Sequence, residues 1–567
     1  MLRHLLLLIA PFLLAGSALA RDTSAAARFD AGMVSAADPR AAEAGAELLR
    51  AGGSAADAAL ATLLALTVVE PQSSGIGGGG FLLLDDGTGK VDTFDGRETA
   101  PAAATPDWFK ADGQYLTMAQ AIPGGITVGI PGNLALMAQA HAAHGALPWR
   151  DAFQPAIRLA RDGFAMTPRL QEFLTRSKDR AGFSEAGRRL YYGQDGEPLP
   201  EGTVIRNPQL AAFLTRLANK GAGEFYSGKN ARAIAKTVSR APRHPAPLTR
   251  ADLAAYRAKQ REPICGLYRA WRICGMAPPS SGATTVLGIL GLLERFDMGA
   301  LGKDNPASWH LMAEAMRLTY ADRDRYLADA DFVPVPVAGL LAPDYIAARS
   351  QLIAQDRAMA SVAPGQPAGV VVVHADALPG EVPSTSHFAV IDRQGRAATL
   401  TSTIEGSFGS GLMVNGYYLN NQLTDFSMVP DRDGKPVANR VEAGKRPLSS
   451  MSPTLVYSPD GKLRIAIGAA GGKTIPAQVT KAIIGVIDWN LSAQDAIALP
   501  LIYAPGGNTV SVEQGSALEA MMPALRALGH TDVRTTSLPL KANAVEVVAG
   551  RLAGAADPRS EGKAVSQ

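Results

Sequence analysis

The chain has 567 residues, 47% hydrophobic and 19% charged, which is ample for a large buried core and unlike a disordered protein. Its 55 basic and 52 acidic residues leave a net charge of +3. With no long run of Lys or Arg, that balance excludes a nucleic-acid footprint. Two cysteines and eight scattered histidines argue against a zinc site. Length alone permits two to four domains.

The first element is a targeting segment. Arg3 and His4 precede the apolar run Leu5 to Leu14, and Ala18-Leu19-Ala20 offers a small-x-small cleavage signal before Arg21. The run is shorter than the ~20 residues that span a bilayer. We therefore expect residues 1–20 to be removed on export, giving a periplasmic or secreted protein with no membrane anchor. Asp38 can cap a helix that starts at Pro39 and runs to Arg50 before Gly52-Gly53. Ser54 can cap a second, almost wholly apolar helix from Ala55 to about Val69, with Asp57 in its first turn. The glycine run from Gly75 to Gly80 lacks the Gly-Lys-Ser/Thr ending of a P-loop, so it reads as a tight turn feeding a strand, Phe81 to Leu84. Val91 to Phe94 is a further strand, with Arg97 just beyond it.

Residues 107–260 read as mostly helical, clearest over Asp151 to Asp162, Pro208 to Lys220 and Lys229 to Ser239. The two cysteines, Cys265 and Cys274, flank a hairpin with its tip at Arg269-Ala270, which sets them opposite each other. An exported chain could oxidise them to a disulfide or keep them as two buried thiols. Helices follow over Trp309 to Leu327 and Asp344 to Gln355, then a loop, Pro364 to Ser384, with a brief apolar run at Val370 to Val373. From Thr385 on, strands dominate: Phe388 to Ile391, Ala397 to Thr403, Tyr417 to Leu419, Thr454 to Tyr457, Leu463 to Ile467, Thr509 to Glu513 and Ala544 to Val548. Helices interrupt them at Ile475 to Ile487 and Ser492 to Leu499. A helix-rich first part and a strand-rich second part argue an α+β fold. No internal repeat or low-complexity linker divides the chain.

Several segments fall in a telling order: Asp95-Gly96-Arg97-Glu98, Thr385-Ser386-His387, Thr401-Ser402-Thr403-Ile404-Glu405, Asn420-Asn421-Gln422-Leu423-Thr424-Asp425, Pro447-Leu448-Ser449-Ser450-Met451-Ser452-Pro453 and Gly471-Gly472. Together they resemble the γ-glutamyltransferase (glutathione hydrolase) family of N-terminal-nucleophile hydrolases, from about Gly32 to about Ser560. The resemblance implies a four-layer αββα sandwich built jointly by a large subunit, residues 21–384, and a small subunit, residues 385–567. Cleavage between Ser384 and Thr385 would be self-inflicted, the Thr385 hydroxyl attacking the carbonyl just upstream. An N-terminal threonine then holds nucleophile and base in one residue, its α-amine (pKa near ~8) accepting the hydroxyl proton.

By the same resemblance Thr403 supports the nucleophile, and Gly471 and Gly472 present free N–H groups to the oxyanion at a helix start. Arg97 grips the donor α-carboxylate with Ser449 and Ser450, while Asp425, with Gln422, takes the α-ammonium. No cofactor or metal is implied. Glutathione, other γ-glutamyl compounds, amino-acid or peptide acceptors and water are the expected partners. Two departures stand out. Glu405 occupies a position where better-known members carry Asn, and could either strengthen ammonium binding or pair with a basic residue. The segment Met428 to Gly444 is short and has no tyrosine, so the family's lid is reduced, which bears on acceptor choice. His387 is expected to make a structural hydrogen bond rather than serve as a base. The competing readings are a glutaryl- or cephalosporin-type acylase, whose substrates have no α-ammonium, and an unprocessed binding protein.

Overall fold

The computed structural model describes residues 28–377 and 384–567. The expected targeting segment and the residues immediately before Ser384 lie outside these ranges. Strand β1, Met33–Ala36, leads into α1, Pro39–Arg50, which Asp38 caps by accepting the Arg40 N–H. Next comes α2, Ala55–Val69, with a complete capping box between Ser54 and Asp57. Every residue of α2 is buried, and each of its leucines contributes roughly 1.5–3 kcal/mol by leaving water. Strands β2, Gly79–Asp85, and β3, Val91–Asp95, follow.

The middle of the chain is helical as expected, with Pro208–Lys220 and Gly228–Ser239. Residues Trp149–Phe153 form a 3-10 turn rather than the start of the expected helix, which begins at Gln154 with Pro155 in its first turn. After β4, Lys259–Gln260, come the hairpin strands β5, Ile264–Tyr268, and β6, Trp271–Gly275. Arg269 and Ala270 both take positive φ at its tip, as a two-residue hairpin turn demands. Cys265 pairs opposite Cys274, and the two form a disulfide. Helices α3, Gly282–Leu293, and α4, Pro306–Tyr326, come next. The helix expected over Asp344 to Gln355 spans only Pro343–Ser350.

The nucleophile candidate opens β7, Thr385–Ile391, which pairs with β8, Ala397–Thr403. Then come β9, Thr454–Tyr457, β10, Leu463–Ala470, α5, Ile475–Ile487, and α6, Ala493–Ala498. Strands β11, Lys541–Val548, β12, Arg551–Ala556, and β13, Lys563–Ser566, end the chain.

Two antiparallel sheets result, in the orders β13-β1-β7-β8-β2-β3-β4 and β12-β11-β10-β9-β6-β5. Each mixes strands from before and after Thr385, so a mixed α+β fold is shared along the whole chain. Strands β7 and β8 face β10 and β11 of the other sheet, while α2 lies on the opposite side of β7 and β8. Helices α3 and α5 pack together beyond the second sheet, with α5 against β10. Strand alternation sorts the side chains. Phe388 and Val390 join the core around α1 and α2, whereas Ala389 and Ile391 join the core that holds the second sheet. Thr385 and His387 share the parity of Ala389 and therefore look toward the space between the sheets.

Candidate functional site

Thr385 sits at the first position of a central strand, directly opposite Thr403 on β8. Their hydroxyls form a relay. Thr385 Oγ1 donates to Thr403 Oγ1 at 3.2 Å, and Thr403 Oγ1 donates to the Ser384 carbonyl oxygen at 2.7 Å. The Glu405 N–H donates to Thr403 Oγ1 at 2.8 Å. The carbonyl that Thr385 would attack thus already accepts a hydrogen bond from the group that holds Thr385.

On the far side of Thr385 the strand start is anchored. Ser386 Oγ donates to Glu70 Oε2 at 2.5 Å, and Glu70 is paired with Lys541 at 2.8 and 2.9 Å, all buried. His387 is buried, with its Nδ1 2.8 Å from Thr401 Oγ1 and its ring against Gly468 of the facing sheet. Burial pushes its pKa down to about 3, so it is a neutral structural imidazole.

The residues singled out in sequence converge. Arg97, Thr385, Thr403, Glu405, Gln422, Asp425, Ser449 and Ser450 line one recess, floored by Met451 and Ile475. Arg97 stands just beyond β3, its N–H bound to Asp95 Oδ1 and its carbonyl accepting from Tyr256. It is only 1% exposed, so it is no surface ion pair. Its guanidinium donates to Asp425 Oδ2 at 2.5 Å and to the carbonyls of Pro447 and Leu448. Gln422 Nε2 also donates to Asp425 Oδ2, at 2.7 Å, while Gln422 Oε1 is buried without a hydrogen bond. The recess therefore presents a positive and a negative group already bonded to each other.

Beside them Glu98 is wholly buried, 3.9 Å from Arg97, and burial outweighs the arginine to push its pKa up to about 8. Ser449 Oγ accepts from the Met451 N–H, and Ser450 Oγ accepts from Arg323 at 2.6 Å. Glu405 takes a left-handed backbone, φ 77°, which costs on the order of 1–3 kcal/mol for a non-glycine residue. Its carboxylate accepts from Asn421, and its charge acts on the half-buried Arg180. The basic-partner alternative for Glu405 thus has a physical candidate.

Gly471 and Gly472 follow β10 with φ of 136° and 59°. A 3-10 turn, Gly472–Thr474, precedes α5, so the helix starts at Ile475 rather than at Lys473 or Thr474. A Cβ on Gly471 would lie 2.3 Å from the Pro539 carbonyl, so only glycine fits there. Gly471 reaches Thr385 through a second cavity, on the other side from the recess. The cysteine pair belongs to an edge hairpin and does not line the recess. Among the described residues no group of three or more His, Cys, Asp or Glu side chains is placed to hold a metal.

Sequence reasoning missed three supports. Asn439 bridges the Asp425 carbonyl and the Leu448 N–H, pinning both walls of the recess. It lies in the short segment after Met428, which carries a small hairpin, Asp431–Arg432 with Lys435–Pro436. Arg323 of α4 reaches Ser281 and Ser450, and Arg180 faces Glu405. An Asn in a loop and arginines in charge-rich helices gave no local signal.

A family model described as Gamma-glutamyltranspeptidase matches residues 41–567. The chain is 37% identical over 509 residues to the glutathione hydrolase proenzyme of Bacillus subtilis, covering 88% of this chain and 85% of that one. It is 34% identical to the acylase ACY 1 proenzyme of a Pseudomonas strain, with 94% and 93% covered. Among solved structures, a cephalosporin acylase from Bacillus halodurans superposes with a TM-score of 0.83 at 27% identity, covering 99% of both chains.

Proposed function

The chain belongs to the gamma-glutamyltranspeptidase family, and on that premise we propose that it is a γ-glutamyltransferase and glutathione hydrolase that matures by cutting itself before Thr385. The relay of hydroxyls supports the first step. As Thr385 Oγ attacks the Ser384 carbonyl carbon, its proton passes to Thr403 and the Thr403 proton passes to the carbonyl oxygen. The relay keeps negative charge from building on that oxygen. On collapse that oxygen's proton goes to the Thr385 nitrogen as the C–N bond breaks, leaving Ser384 as an ester on Thr385 Oγ1; water then hydrolyses the ester, releasing Ser384 as a carboxylate and restoring the Thr385 hydroxyl. The freed Thr385 amine becomes the base for turnover. Residues 21–384 and 385–567 then remain as two subunits of one body. The packing order of helix, sheet, sheet and helix supports the four-layer sandwich. Residues 1–20 would direct export to the periplasm or beyond.

The observation that carries the substrate reading is the recess itself. It sets Arg97 and two serines against Asp425 and Gln422, a complement to a group bearing both a carboxylate and an ammonium. A γ-glutamyl end would split the Arg97–Asp425 bond and bond each half. Thr385 would attack its amide, and water or an amine acceptor would resolve the ester. Rates on γ-glutamyl and glutaryl anilides of one leaving group test this, and a preference for glutaryl would overturn it. The acylase reading has its own support in relatives named as acylases. Because Asp425 is already bonded to Arg97, a donor with a carboxylate alone would meet no isolated acid.

A further inference from the structure

Arg323 stands in the last turn of α4, only 2% exposed, and its guanidinium is spread over several acceptors. It donates to Ser450 Oγ at 2.6 Å and to Asp324 Oδ1 at 2.7 Å, and its Nε donates to Ser281 Oγ at 3.0 Å. Ser281 passes the contact on. Its N–H and its hydroxyl both donate to the Ser449 carbonyl, at 2.7 and 2.9 Å. The Ser449 N–H donates to the Pro279 carbonyl at 2.9 Å, and Ser280 Oγ donates to the Met451 carbonyl at 2.8 Å. The loop that carries both recess serines is thereby stitched to residues 279–281, and all four serines are buried. Ser449 and Ser450 line the recess, whereas Arg323 does not.

A serine hydroxyl has one proton to give and two lone pairs to accept with. Ser449 Oγ accepts from the neutral Met451 N–H, but Ser450 Oγ accepts from a cation. With a guanidinium on its oxygen, the Ser450 proton must turn away from Arg323. The cation also draws electron density from that oxygen, which makes the remaining O–H a stronger donor. A lysine could supply the charge, but it has no rigid planar fork to hold Ser450 and Ser281 in one geometry. The charge of Arg323 can thus reach an anion in the recess through Ser450, without the arginine touching that anion.

We propose that Arg323 is a positioning residue for the carboxylate of the acyl donor: it aims and strengthens the Ser450 proton, and through Ser281 it holds Ser449 alongside. The inference rests on the recess being the acyl site proposed above, and asks only that the acyl group carry a carboxylate. The experiment uses the processed enzyme and two donors that differ in that group alone, γ-glutamyl-4-nitroanilide and 4-aminobutyryl-4-nitroanilide. Arg323→Met should raise KM for the γ-glutamyl donor roughly tenfold, the scale of one charge-assisted hydrogen bond, with a much smaller change in kcat. The aminobutyryl donor should lose far less, and Arg323→Lys should recover part of the γ-glutamyl KM. In a Ser450→Ala background the same Arg323→Met change should add little, because the hydroxyl it acts through is gone. A merely structural brace would slow both donors alike. Equal losses on the two donors, or an undiminished loss in Ser450→Ala, would overturn the proposal. Self-cleavage into two chains reports that each variant folds. Should Arg323→Met stay uncut, Ser281→Ala, which removes only the hydroxyl between Arg323 and Ser449, carries the same comparison. No turnover of the γ-glutamyl donor by a fully processed wild type would instead overturn the γ-glutamyl reading. The comparison would then be made on glutaryl-4-nitroanilide and butyryl-4-nitroanilide, the same pair without the ammonium.

Discussion

Replacing Thr403 with valine keeps the shape of the side chain and removes its hydroxyl. Three bonds go with it: to the Ser384 carbonyl at 2.7 Å, from the Glu405 N–H at 2.8 Å, and from Thr385 Oγ1 at 3.2 Å. Thr403 is 3% exposed, so water does not replace them readily. The orphaned Glu405 N–H should cost roughly 1–3 kcal/mol, a loss of a few degrees in melting temperature. The effect on chemistry should be larger. The lost hydroxyl is the one that would hand its proton to the Ser384 carbonyl oxygen during self-cleavage, and removing a donor to such an oxygen slows acyl transfer roughly 100- to 1,000-fold. Thr403→Ser keeps the hydroxyl and should cut within about tenfold of the wild-type rate, since its extra freedom costs about 1 kcal/mol. The assay is a denaturing time course of intact mass, with the smaller product beginning at Thr385. If Thr403→Val were folded and cut at the wild-type rate, the relay would be wrong.

Thr385→Ala should stay a single chain and turn over no donor, checked by intact mass and anilide release. Arg97→Ala should raise KM for γ-glutamyl anilide by roughly tenfold or more, because the α-carboxylate loses its charged partner; unchanged kinetics would take Arg97 out of the site. Glu98, with its pKa pushed up to about 8, is neutral below that pH. Above it, a new negative charge 3.9 Å from Arg97 should weaken carboxylate binding, so KM should climb above about pH 8 in the wild type and less in Glu98→Gln. His387 titrates at about 3 in the fold and near ~6.5 when unfolded. The unfolded chain therefore binds the extra proton between those values, and stability present above pH ~6.5 drains away as pH falls; denaturant midpoints should show a flatter acid limb in His387→Asn.

Much of the scaffold was legible because its signals are local. Asp38 before Pro39 and Ser54 before Ala55 each set a helix start, and the Arg269-Ala270 turn set the cysteines opposite each other. The short strands β1 and β13, the latter at the sheet edge, were not legible, since four residues carry too little alternation to stand out. Helix α3 was missed because it has no side-chain cap and holds Gly288 and Gly291. At the site, residue identities were legible through the resemblance, but their bonding was not. Arg97 and Asp425 lie 328 positions apart, and only the fold reveals that they bond each other in the recess. Nor could the sequence show that Glu98 is neutral, because that follows from complete burial and not from its neighbours in the chain.

The seven-stranded sheet threads β7 and β8 between β1 and β2, so strands from either side of the Ser384–Thr385 bond alternate across it. While that bond is whole, the chain finds this arrangement in a unimolecular search. Were it cut, the same arrangement would be held by non-covalent contacts alone and could be reached again only by the meeting of two fragments, each with unsatisfied strand edges. The cut would therefore act as a ratchet. A processed molecule unfolded by heat or denaturant should recover far less native structure on dilution than uncut Thr385→Ala, and its durability would be set by the height of its unfolding barrier rather than by an equilibrium.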